Sequence, residues 1–111
     1  MEKNIKEVVY SSTFYDDLKS VYLYGYKTFG SYMADVFQEK NLHLTYGLSY
    51  QYLIYPECRP LETKQQIYRN IISDNHRIIY RIRLKIVGVL RIIHGTKNPA
   101  TIKSIKKIKI K

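Results

Sequence analysis

Apolar residues in the first half of the chain recur at helical spacing. A short β-type run occupies residues 6–10, and from Phe14 onwards the apolar positions lie three or four residues apart, which predicts an amphipathic helix. Gly30 and Ser31 interrupt the pattern, since glycine suits the end of one helix and serine the start of the next. Two helices joined by so short a link are expected to pack as an antiparallel hairpin. The apolar positions are Phe14, Leu18, Val21, Tyr22 and Phe29 in the first helix and Met33, Val36, Phe37, Leu44 and Leu48 in the second.

Beyond Pro56 the apolar period changes from helical to two, which is typical of β-strands. Three strands are predicted, at 66–72, 76–84 and 86–94, with Ser-Asp-Asn turn chemistry between the first two. Consecutive strands with short connections make an antiparallel meander, and the run at 6–10 could join its edge. We therefore expect an α+β fold, in which an N-terminal strand and an antiparallel helical hairpin pack on a three- to four-stranded antiparallel sheet.

The middle strand places isoleucine and arginine on different faces. Ile78, Tyr80 and Ile82 share one face, which we assign to the core beneath the helices. The other face is expected to form a basic binding surface, although its arginines could simply keep an exposed sheet soluble and block edge pairing. This face carries Arg77, Ile79, Arg81 and Arg83, and Arg91 of the last strand joins it if the register matches.

Charge is distributed very unevenly along the 111 residues. The chain has 19 lysines and arginines against 9 acidic residues, yet residues 75–111 hold 11 basic side chains and no acidic one. Such a concentration of positive charge in one segment favours an acidic partner, such as nucleic acid, a ribosome, an acidic protein or an anionic membrane. The alternative is a highly soluble surface without a specific partner.

The last twelve residues form a lysine-rich tail. We divide the chain into a folded domain at 1–99 and this tail at 100–111, and we expect the tail to be disordered until a partner binds. Ile102, Ile105 and Ile108 follow helical spacing, so an amphipathic element or an added strand stays open as an alternative. The tail lysines are Lys103, Lys106, Lys107, Lys109 and Lys111.

The sequence lacks most of the common motifs for catalysis, cofactor binding and metal binding. A lone Cys58 allows no internal disulfide and reads as a packing residue, which fits a reducing cytoplasm. We find no signal peptide, no membrane-spanning run, no phosphate loop and no metal-ligand spacing, so no cofactor, metal or membrane association is expected. Arginines, tyrosines, Lys97 and His94 remain, a set that could stabilise the charge that develops when an RNA phosphodiester is attacked by its own 2′-hydroxyl.

Several segments together resemble the RelE/ParE family of bacterial type II toxins. The segments are FYDDLKSVYLY in the first helix, PECRP in the loop, YRNIISDNHRIIYRI across two strands and VLRIIHGTKNP at the end. PECRP is similar to a Pro-Glu-x-x-Arg-Pro motif of the family, and Arg91, His94, Gly95 and Pro99 are similar to its closing signature. The resemblance covers residues 6–99 and implies a cytoplasmic toxin that is neutralised by an antitoxin encoded beside it.

The family divides by target, and both branches stay open. RelE-like members cut mRNA on the ribosome, and the resemblance would then make Arg77 the phosphate-contacting residue and His94 the proton-transferring one. Gly95, however, stands where YoeB-type enzymes have a catalytic tyrosine, and Glu57 and Glu62 match the catalytic glutamate poorly. The ending is more similar to ParE-like toxins, which poison DNA gyrase, and we favour that branch. A basic nucleic-acid-binding module is a third alternative, disfavoured because no aromatic stacking platform is evident.

These readings define the expected sites and partners. The partners are an acidic, partly disordered antitoxin segment in a hetero-oligomer, and either DNA gyrase or the ribosome with its mRNA as target. Arg77 and His94 are catalytic only in the RelE-like case. The residues expected to bind target or phosphate are Arg69, Arg77, Arg81, Arg83, Arg91 and Lys97, with tail contacts from Lys103, Lys106, Lys107 and Lys109.

Overall fold

Four strands and a helical hairpin make up the computed structural model, which describes residues 5–95 and 97–110. The expected α+β architecture is confirmed. No helix of the described residues is long and apolar enough to cross a membrane. In chain order the elements are β1 (Glu7–Tyr10), α1 (Ser12–Phe29), α2 (Ser31–Tyr46), α3 (Leu48–Gln51), β2 (Tyr68–Ser73), β3 (His76–Ile82), β4 (Ile86–His94), α4 (Pro99–Lys103) and a 3₁₀ turn (Ser104–Lys107).

The sheet is mixed, with the strand order β1-β4-β3-β2. Strands β2, β3 and β4 form the predicted antiparallel meander. β1 joins its edge but runs parallel to β4, with Glu7 opposite Ile86 and Tyr10 opposite Val89. The expectation of an all-antiparallel sheet is therefore wrong for this pair. The physical reason is that residues 11–85, which include the hairpin and two strands, separate β1 from β4, so no tight turn forces the pair to be antiparallel.

The helical hairpin begins and turns at small residues. The Ser11 side chain caps α1 by accepting from the Phe14 amide at 2.9 Å, and it donates to the Leu90 carbonyl at 2.6 Å, which ties the cap to β4. Gly30, with a φ of 93°, separates α1 from α2 as expected, because this backbone conformation is costly for residues with a side chain.

A first hydrophobic core lies between the hairpin and the sheet. Ile78 and Tyr80 face it, as predicted. The predicted apolar stripe of α2 is wrong at its start, because Met33 and Val36 are 51% and 45% exposed. Polar contacts orient the buried side of α2 instead: Asn41 accepts from Ser73 at 2.7 Å. The buried members are Phe14, Leu18, Leu48, Tyr52, Ile71, Ile78, Tyr80, Val87, Val89 and Ile92.

A second hydrophobic core covers the opposite face of the sheet, where the sequence predicted an exposed basic surface. Its cover is the tail, which folds back as α4 and the 3₁₀ turn and buries Ile102 and Ile105. A methyl group at Gly88 would collide with Ile110, so the missing side chain makes room for the end of the tail. The expectation that the tail is disordered is therefore wrong for residues 100–110, while Lys111 lies outside the described residues. The buried members are Cys58, Leu61, Tyr68, Ile79, Leu90, Ile93, Ile102 and Ile105.

Candidate functional site

Arg77 lies half-buried at the edge of the second core. Its guanidinium donates to the carbonyls of Arg59 at 3.2 Å and Gly95 at 3.4 Å, and it lies 3.9 Å from the Cys58 sulfur. Its Nε atom is buried and has no hydrogen-bond partner among the described residues. Arg77 therefore joins the loop after α3 to the end of β4, and part of its donor capacity remains unused.

His94 lies on the other face of the sheet. It is paired in register with His76, and the two rings are 5.7 Å apart, while the His76 ring lies 5.4 Å from Phe37 of α2. Neighbouring residues of a strand point to opposite faces, so Arg77 points away from the side on which His76 lies. Burial, and then the neighbouring His94, lowers the pKa of His76. The structure thus does not bring the two residues of a RelE-like catalytic pair together.

Arg91 faces the helical hairpin beside a β-bulge. The register of β3 against β4 shifts between Ile79 and Tyr80, which leaves Leu90 as an extra residue on β4. Arg91 continues the alternation of Val87 and Val89, which belong to the first core, and its guanidinium donates to both carboxylate oxygens of Asp17 at 2.8 and 2.7 Å. The hydrogen bond to Asp17 raises the pKa of Arg91. Arg91 was expected to join the other arginines if the register matched; this is wrong, because Arg91 lies on the side of β4 that faces the hairpin.

Arg81 is buried beneath the tail. It is only 7% exposed, donates to the Ile108 carbonyl at 3.1 Å and lies 6.0 Å from the Tyr68 ring. The prediction that it projects from an exposed face is wrong, because the tail covers that face. In this arrangement its guanidinium holds the tail against the sheet.

Arg69 is engaged by the loop that precedes β2. It donates to the backbone carbonyls of Leu53 at 3.1 Å, Tyr55 at 2.9 Å and Gln66 at 3.1 Å. Three carbonyls on one guanidinium fix a segment that has little regular structure of its own. In this conformation Arg69 thus stabilises the loop that precedes β2.

The remaining predicted basic residues are exposed. They have no acidic neighbours in sequence, because residues 75–111 contain no Asp or Glu. Those on the tail project from the outer side of the segment whose isoleucines are buried. We call this set the basic surface: Arg83, Lys97, Lys103, Lys106, Lys107 and Lys109.

The sequence did not single out two residues that position this site. Asp17 binds Arg91 and also accepts from the Ile92 amide at 3.2 Å. Gly88 admits Ile110 of the tail. A glycine in the middle of a strand is a recognisable sign of close backbone approach and could have indicated a covered face. Asp17 offered no comparable sign, because its partner lies 74 residues away.

Comparison with known proteins adds two findings. The model of a family described as the ParE toxin of the type II toxin–antitoxin system, parDE, matches residues 8–99. A solved structure titled "Chromosomal ParDE TA system from P. aeruginosa" superposes with a TM-score of 0.69 at 16% sequence identity, covering 83% of this chain and 98% of that chain. At this identity the likeness shows the fold. No curated protein matches the chain significantly.

Proposed function

Because the chain belongs to the ParE toxin family of type II toxin–antitoxin systems, we propose that it arrests growth by binding DNA gyrase and trapping it on cleaved DNA. The toxin acts in the cytoplasm, needs no cofactor and is neutralised by an antitoxin with an acidic segment.

We choose between the two mechanisms on the separation of the Arg77 and His94 side chains. A ribonuclease needs a phosphate-binding group and a proton-transferring group on the same reacting atoms. Here the guanidinium lies beside Cys58 and Gly95, whereas the imidazole lies beside His76 on the opposite face. This arrangement supports a toxin that works by binding.

The basic surface is the proposed contact for both gyrase and antitoxin. Its side chains are exposed, and the tail that carries four of its lysines is packed against the second core. Because the backbone of the tail is already ordered, binding does not include the cost of ordering it, and an acidic partner meets a fixed arrangement of positive charge.

The gyrase assay can isolate this surface without disturbing the fold. Purified protein with gyrase, plasmid and ATP should accumulate linear DNA. The variant K103Q/K106Q/K107Q should lose at least about ten-fold in potency, because each neutralised lysine removes an attraction to an acidic partner. The control K19Q/K40Q/K64Q removes three other exposed lysines, all outside the basic surface, and should retain wild-type potency.

Two results would overturn the proposal. Linear DNA that does not accumulate at any toxin concentration would exclude gyrase poisoning. Codon-phased mRNA cuts that require ribosomes, abolished by His94→Ala, would instead establish a RelE-like nuclease.

A further inference from the structure

Three lysines of the tail lie on one face of its helical part. Lys103, Lys106 and Lys107 have i, i+3 and i+4 spacing within α4 and the 3₁₀ turn. This spacing places their Cβ atoms about 5–6 Å apart on the same side of the helix. Ile102 and Ile105 of the same turns are buried in the second core, whereas the three lysines are exposed. The lysines therefore point away from the sheet.

Lys109 continues this outward side in the extended end of the tail. Ile108 and Ile110 flank it and pack against the second core. Because neighbouring side chains of an extended chain point to opposite sides, the exposed Lys109 projects outwards. None of the ion pairs between described residues involves a lysine of the tail. We call this part of the basic surface the lysine face: Lys103, Lys106, Lys107 and Lys109.

The lysine face has no apolar or aromatic groups with which to anchor a protein. The centre of a protein–protein interface is typically rich in aromatic residues and depleted in lysine. Here the tail isoleucines pack towards the second core, and Tyr80, which is the one aromatic residue of 75–111, is fully buried. Proteins that bind single-stranded nucleic acid also use exposed aromatic rings, on which the bases stack. The lysine face therefore fits a partner that is bound through charge alone.

The phosphate backbone of duplex DNA is a partner of this kind. It carries one negative charge about every 3.4 Å along each strand, and its affinity for proteins comes largely from lysine and arginine. Such contacts position a protein on the duplex without reading its sequence. Residues 75–111 contain no Asp or Glu that would repel the phosphates. Because the tail is packed against the sheet, its backbone is already ordered before the duplex binds.

We propose that the lysine face binds the phosphate backbone of duplex DNA without sequence preference. The inference names a partner for part of the basic surface, and it rests on the proposed function only for the source of the DNA, which is the duplex that gyrase holds. The binding itself requires no gyrase.

Fluorescence anisotropy of labelled duplexes, with the antitoxin-free full chain and without gyrase, tests this binding. Two duplexes of unrelated sequence should bind with equal affinity. The logarithm of the binding constant should fall with the logarithm of the salt concentration with a slope of about −3 to −4, as four phosphate contacts predict. An unlabelled single strand of the same length should compete at least about ten-fold less well than unlabelled duplex, because the face offers no aromatic ring for stacking.

Three sets of substitutions locate the contact. K103Q/K106Q/K107Q should weaken binding at least about ten-fold at low salt and make the slope shallower by about 2 to 3. K103R/K106R/K107R keeps the charge and should retain wild-type affinity. K19Q/K40Q/K64Q removes the same charge from exposed positions outside the basic surface and should also behave as wild type. If thermal unfolding shows that a triple variant does not fold, Lys109→Gln decides, because it should make the slope shallower by about 1.

Several results would overturn this inference. They are the absence of duplex binding at low salt, a slope that K103Q/K106Q/K107Q leaves unchanged, and displacement by a polyglutamate peptide as effective as by unlabelled duplex of equal charge. The last result would show that the face binds an acidic protein. Linear DNA in the gyrase assay without duplex binding would remove this inference and leave the proposed function standing. Duplex binding without linear DNA would do the reverse.

Discussion

Individual arginines in this protein have different tasks although the sequence presents them alike. Arg81 and Arg69 donate to backbone carbonyls, Arg91 binds a carboxylate, and Arg83 is exposed. Alternation predicted the side of Arg77 and Arg81 correctly but could not reveal what covers that side. The face of Arg91 could not be predicted, because the sequence does not show which side of β4 lies under the helices; Val87 and Val89 of the first core share the side of Arg91.

The partly buried ion pair between Asp17 and Arg91 gives a residue-scale prediction. Asp17→Ala should reduce the free energy of unfolding by about 1 to 2 kcal/mol, because it leaves a partly buried guanidinium and the Ile92 amide without their acceptor. Chemical denaturation measures the loss. The neighbouring Asp16→Ala removes an exposed carboxylate from the same helix and should change stability by less than about 0.5 kcal/mol. Equal effects of the two substitutions would show that the pair does not anchor α1 to β4.

The sequence predicts a secondary-structure element well when the residues that determine it are close together in the chain. The observed β4 has the predicted bounds, 86–94, and Gly30 divides the helices where the pattern breaks. β1 was found, but its direction depends on a partner 79 positions away, which local periodicity cannot reveal. The prediction for the tail is wrong for the same reason. Its isoleucines indicate only a weakly amphipathic segment, and local periodicity cannot show that the second face of the sheet buries them.

The docking of the tail makes an element-scale prediction. Ile105 is fully buried in the second core, so Ile105→Ala should destabilise the fold by about 3 kcal/mol through lost burial and a residual cavity. Thermal or urea unfolding reports this directly. Lys106→Ala alters the adjacent, exposed position and should stay within about 0.5 kcal/mol of wild type. Identical unfolding curves for the two variants would mean that the tail is not part of the core.

At the scale of the whole molecule, burial reduces the charge that a partner meets. Of the eleven basic residues in 75–111, Arg81 is covered and Arg91 is paired, so the exposed charge is concentrated on the tail and the ends of the strands. A sequence count gives the total charge correctly and its accessible part incorrectly, because the count does not register which side chains are used in folding.

The basic surface predicts how the antitoxin binds. Co-expression with the adjacent gene should give a stable complex, and its association rate should fall roughly ten-fold or more as salt rises from about 0.05 to about 0.5 M. K103Q/K106Q/K107Q should bind more slowly and lose much of this salt dependence, whereas K19Q/K40Q/K64Q should behave as wild type. Stopped-flow mixing at several salt concentrations provides the measurement. Products that purify separately at low salt would contradict an electrostatic toxin–antitoxin contact.

The parallel pairing of β1 with β4 also sets the timing of folding. Tyr10 lies opposite Val89, and at a synthesis rate of about 5–20 residues per second roughly 4 to 16 s pass between the two. During that interval the helical hairpin can already form, because its contacts are local in sequence. Phe14 and Leu18, however, cannot yet pack against Val87 and Val89, which have not been synthesised. The nascent chain therefore closes its sheet only after β4 has been translated, in a late step that pairs β1 with a strand 79 positions further along the chain.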